Sequence, residues 1–103
     1  MTAPTMNARI ISVNDTSFRL VLLADLDPLC GDVEVRAAIR GDRLLFDIVS
    51  EGVYFETRAA EDYVLRLNVA IALEDRLVGR IPTESELEAI LLEIAPQIYF
   101  ESE

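Results

Sequence analysis

Asp25-Leu-Asp-Pro-Leu-Cys-Gly-Asp32 gathers three carboxylates and the chain's single thiol into eight residues. Clustered carboxylates can hold a hard cation through oxygen, and a thiolate can attack an electrophile. The spacing fits neither use. Counted from Asp25 as an EF-hand loop, position five is Leu29 and position twelve is Arg36, where acids are needed. Cys30 has acidic neighbours, which disfavour the thiolate, so turn chemistry is the expected role of this loop. Other chemistry is excluded by composition. The chain has no His and no Lys, so all nine bases are Arg. There is thus no imidazole base or metal ligand, no Schiff-base amine and no P-loop lysine. Nineteen acids make some close carboxylate pair inevitable, but no motif singles one out. The sequence therefore points to a non-enzymatic protein, with no metal and no cofactor.

Charge narrows the partners. A net charge of −10 repels phosphate backbones and anionic membranes, so neither nucleic acid nor membrane is an expected partner. A basic protein is the natural electrostatic complement. Arg-only basicity with heavy acid use also fits genome composition or a saline habitat. An apolar fraction of 51% argues against an acidic disordered tail. At 103 residues, a single domain over 1–103 is expected. One Cys fits a reducing compartment, and Met1 to Asn7 lacks a basic residue followed by an apolar run. With no run of about 18 apolar residues, a cytoplasmic location is the expectation.

The elements that must position any site follow from periodicity. Gly31, Gly41 and Gly52 punctuate the middle of the chain at near-ten-residue intervals, the cadence of short strands joined by tight turns. Val33, Val35, Ala37 and Ile39 share one face of a strand; Leu44, Phe46 and Ile48 share another after the Gly41-Asp42 turn. Arg9 to Val13 and Ser17 to Ala24 read as a strand pair around Asn14-Asp15-Thr16. A further strand is expected at 53–58 after Glu51-Gly52, and a short one at 97–100. Residues 62–74 alternate as well, with Tyr63, Leu65, Leu67, Val69, Ile71 and Leu73 on one side, and read as a strand. Glu61, Asp62, Arg76 and Gly79 would suit a helix there, yet a helical wheel shows apolar residues nearly all round.

The clearest helix spans 84–95. Thr83 and Glu86 form a capping-box pair, Leu87, Ile90, Leu91 and Ile94 make one apolar face, and Pro96 stops the run. The predicted fold is α+β: a mainly antiparallel meander of about six strands packed with one C-terminal amphipathic helix. Strands 17–24 and 43–50 are apolar on both faces, so a second cover is needed: another layer, a second subunit or a partner.

The acids are unevenly placed. Glu84, Glu86, Glu88, Glu93, Glu101 and Glu103 all fall in the last 23 residues, which contain no base. Part of this has a structural cause, since acids favour a helix N-terminus. The rest suggests an acidic docking face. The leading expectation is an acidic module that inhibits or regulates a basic protein, of the immunity, antitoxin-like or phage anti-defence kind.

Three segments resemble the SecB export-chaperone family. Arg9-Ile-Ile-Ser-Val-Asn-Asp-Thr-Ser-Phe18 resembles its opening strand, and Asp62-Tyr-Val-Leu-Arg-Leu-Asn-Val69 one of its central strands. Ala95-Pro-Gln-Ile-Tyr-Phe100 is similar to the Pro-containing segment after its first long helix. Leu44 to Phe55 resembles a Gly-containing strand of the family, but lies before the Asp62 segment rather than after it. The resemblance implies an acidic homo-oligomeric holdase that takes unfolded chains into apolar grooves, the alternative to the inhibitor.

Overall fold

The computed structural model describes residues 6–23, 32–50 and 57–101. Four strands, β1 (Met6–Val13), β2 (Ser17–Leu23), β3 (Val33–Arg40) and β4 (Arg43–Ser50), form an antiparallel meander. Two helices follow, α1 (Thr57–Arg76) and α2 (Glu84–Ile94), and then β5 (Ile98–Phe100). The sheet order is β4-β3-β2-β1-β5, and β5 lies parallel to β1, with Met6 beside Ile98 and Ala8 beside Phe100. The helices thus carry the chain from one edge of the sheet to the other. The architecture is α+β with a mostly antiparallel five-stranded sheet.

Period-two alternation explains the strands. Met6, Ala8, Phe18, Leu20, Leu22, Val33, Val35 and Ala37 point to one face and are buried. They meet Val69, Ala70 and Leu73 of α1 and Leu87 and Leu91 of α2 in a single cluster, so both helices cover that face. Phe18 and Phe46 add an edge-to-face contact, with ring centroids 6.2 Å apart. A register shift between Ile10 and Ser12 leaves Ile11 as an extra residue in β1. At the first turn Asn14 Oδ1 accepts from the Thr16 and Ser17 amides at 2.9 and 3.0 Å, the local bonding expected of a short polar side chain.

Two expectations are corrected. Residues 62–74 are helix, not strand, and the described residues form two helices rather than one. The alternation there was incomplete, because Val64, Ala70 and Ala72 are apolar on the supposedly wet side. Leu, Ala, Arg and Glu dominate the segment, and all favour helix. A helical stripe is present in the burial: Arg66, Val69, Ala70 and Leu73 face inward. The central-strand part of the SecB resemblance, at Asp62 to Val69, falls with this correction. Of the strand expected at 53–58, Thr57 and Arg58 belong to α1 and the remainder lies outside the described residues. So do the Glu51-Gly52 turn and the loop from Asp25 to Gly31, including Asp27 and Cys30; Asp32 is exposed at the entry to β3.

The second face of the sheet has no covering element among the described residues. It is less apolar than strands 17–24 and 43–50 suggested. Arg19 and Arg36, paired across β2 and β3, both clamp Glu34, each through Nη2 at 2.7 Å. Their aliphatic stems lie over this face and their heads stay in water.

Candidate protein-binding surfaces

The acidic residues of the C-terminal segment do not form one surface. α2 starts as its sequence dictates: the Glu86 amide donates to Thr83 Oγ1 and the Thr83 amide to Glu86 Oε1, both at 3.2 Å. Arg80 closes on the same carboxylate at 3.2 and 2.5 Å. These donors, Arg80 first and the Thr83 amide next, hold the Glu86 carboxyl down at about 2. Seven residues on and along the same flank of α2, Glu93 accepts from Arg76 at 2.7 Å. Glu84 and Glu88, four apart, lie along the other flank and carry no ion pair among the described residues.

Glu101 is elsewhere. Phe100 pairs with Ala8 on the core side, so the next residue turns to the opposite face. There Glu101 meets Arg9 at 3.5 Å, and its amide donates to the Ala8 carbonyl at 2.8 Å. Glu103 lies outside the described residues. Of the six acids, Glu86, Glu93 and Glu101 are each answered by an Arg, and only Glu84 and Glu88 present unneutralised charge together.

The apolar surface has the more unusual arrangement. α1 buries one stripe but leaves Val64 and Ile71, seven residues apart on its outward side, 48% and 45% exposed. Beside them Ala60, Glu61, Val64, Leu65 and Asn68 line an open depression of about 400 Å³. The inner side of the same helix carries Arg66, 1% exposed and ion-paired with Asp62 one turn back. Tyr63 reaches β4, its hydroxyl 2.5 Å from that of Ser50. One helix therefore buries an ion-paired Arg while turning aliphatic side chains to solvent.

Sequence reasoning did not select Val64 or Ile71 as a site. The signal was present in the wheel: apolar residues all round a helix mean that some of them face outward.

Among the described residues, no group of three or more His, Cys, Asp or Glu is placed to hold a metal ion. No described helix is long and apolar enough to cross a membrane. A smaller, more enclosed hollow of about 170 Å³ lies between the helices, lined in part by Arg76, Arg80, Glu86 and Ile90, and its charges are already paired. Compared with known proteins, the chain matches no family model, no curated protein and no solved structure.

Proposed function

We propose that this protein is a non-enzymatic holdase-type binder, which takes apolar segments of other polypeptides against the outward side of α1. One observation carries the reading: a helix that already has its buried stripe also exposes Val64 and Ile71 beside an open, aliphatic depression. Neighbouring exposed aliphatic side chains beside an open hollow are the kind of surface that takes apolar segments of a partner. The strong net charge of −10 would keep such a surface, and the complexes it forms, from self-aggregating.

The test is capture of an unfolded, reduced model polypeptide by the full chain, at low and at high salt. Apolar capture persists in high salt, and V64S/I71S weakens it at least about tenfold, the loss expected when two buried aliphatic contacts go. Equal capture by wild type and V64S/I71S would refute the reading.

A second reading, an inhibitor of a basic protein, is favoured by Glu84 and Glu88, one turn apart on one flank of α2 with no Arg partner among the described residues. Its binding would fall steeply with ionic strength and with E84R/E88R, and would be indifferent to V64S/I71S.

A further inference from the structure

β4 is an edge strand: β3 pairs with one side of it, and no described strand pairs with the other. Edge strands are ordinarily blunted by shortness, by Pro, by Lys or by a bulge. β4 has eight residues, RLLFDIVS, with no Pro, Lys or bulge; the charges on its edge are Arg43 and Asp47, both on the face away from the helices. Its orientation is fixed by the Gly41-Asp42 turn, with Gly41 at φ 67° as the first central position of a two-residue hairpin. Arg40 and Arg43 are then the hydrogen-bonded closing pair. Arg43, Leu45, Asp47 and Val49 turn their main-chain groups to β3, while Leu44, Phe46, Ile48 and Ser50 turn theirs to the open edge.

The side chains are unfinished in the same direction. Val35 and Ala37 of β3 are buried on the helix-covered face, but Ile48 and Phe46 opposite them in β4 are only half-buried, as is Leu44 opposite Ile39. The apolar layer continues past its cover. On the other face Leu45 is 48% exposed.

Charge supplies the occupant. Arg43 stands directly opposite Arg40, a like-charge pair that costs the isolated chain stability. Neither has an ion pair among the described residues; Asp47, exposed four residues along on the same face as Arg43, stands opposite Arg36, whose guanidinium is clamped on Glu34 and only reaches Asp47 at longer range. Two β4 strands run antiparallel about a two-fold axis through Leu45 set each Arg43 against Asp47 of the other copy. The same register puts Leu44 against Phe46 on the core face, with their outward amides and carbonyls exchanging hydrogen bonds. The axis is perpendicular to the sheet, so both helical layers stay on one side.

We propose that β4 is a homodimer interface, joining two five-stranded sheets edge to edge in the register that pairs Arg43 with Asp47. The occupant is a second copy of this chain. The interface does not rest on the holdase reading, because it uses the sheet edge rather than the outward side of α1.

Sedimentation velocity on the full chain at tens of micromolar tests it, with R43D, D47R and R43D/D47R alongside. Wild type sediments at twice the 11.5 kDa chain mass. Each single reversal creates two repulsive contacts in the dimer and weakens it about tenfold or more, and the double reversal restores it. R43D removes the Arg40–Arg43 repulsion, so its loss of dimer cannot be ascribed to unfolding when its circular dichroism is native. Hydrogen exchange gives an independent readout: the amides of Leu44 and Phe46 exchange more slowly as concentration rises. A monomeric wild type, a dimer that survives both single reversals, a folded double variant that stays monomeric, or free exchange of those amides overturns the proposal. So does a dimer broken by V64S/I71S, which would place the interface on α1.

Discussion

α2 and α1 are neighbouring helices built on opposite terms. α2 has a capped start, a buried stripe centred on Leu87 and Leu91, and acids along its flanks that are largely matched by Arg76 and Arg80. Its paired charges are met locally, and Leu92 is the single large apolar side chain it exposes, at 44%, against the pair Val64 and Ile71 on α1. α1 has no acid in its first turn, holds a buried Arg on its inner side and turns Val64 and Ile71 outward. Its requirements are met partly by the core and, we argue, partly by another polypeptide. A helix that satisfies itself reads as scaffold, and one that leaves aliphatic surface open reads as a place for contact.

Several variants can break or sharpen that contrast. The largest effects are expected where the helices are alike. Leu73→Ala in α1 and Leu91→Ala in α2 each remove a fully buried side chain and should each cost about 3 kcal/mol in urea denaturation. A much smaller loss for Leu73 would mean that α1 is not anchored as the core cluster implies. Next, Asp62→Ala takes the carboxylate from buried Arg66 and should cost about 2 to 3 kcal/mol, whereas D62N should recover part of it through a neutral hydrogen bond.

The capping box comes third. Thr83→Ala should destabilise by about 1 kcal/mol and fray the start of α2 in amide exchange, leaving α1 unchanged. Smaller still are V64S and I71S, each expected to move stability by no more than about 0.5 kcal/mol because the side chains are half in water already. A large loss would mean that these residues hold the monomer together and are not kept for a partner.

Acid provides the finest probe. In the folded chain the Glu86 carboxyl sits at about 2, against an ordinary 4.5, because Arg80 and the Thr83 amide bond its ionised form. Between those values the unfolded chain takes up a proton that the folded chain refuses. Stability contributed by this group is complete above pH 4.5 and is lost as the pH falls toward 2. Glu34, held low by Arg19 and then Arg36, adds to the same trend. The melting temperature of E86Q should therefore fall less steeply than that of wild type across this window.

The contrast between the helices also explains what the sequence disclosed. The strands of the meander, the Gly41-Asp42 turn and the Thr83–Glu86 cap were legible because each is set by residues within a few positions of one another. Residues 62–74 misled for a physical reason. Val64 and Ile71 blur the inward stripe of Arg66, Val69, Ala70 and Leu73, and a helix with aliphatic residues on its outer side lacks the polar side by which helices are recognised. The six C-terminal acids misled differently. Proximity in sequence suggested one acidic face, but a strand and a helix send Glu101 and the α2 acids to opposite sides of the sheet, and the Arg residues that answer Glu86, Glu93 and Glu101 come from elsewhere in the chain.

The central claim is that the outward side of α1 binds polypeptide through apolar contact. It is tested most directly by light scattering from a chemically denatured model protein, diluted into buffer with wild type or V64S/I71S at low and high salt. The account predicts that wild type suppresses aggregation at both ionic strengths and that the folded double variant largely fails. Suppression by wild type that vanishes in salt, or that V64S/I71S matches, would contradict it.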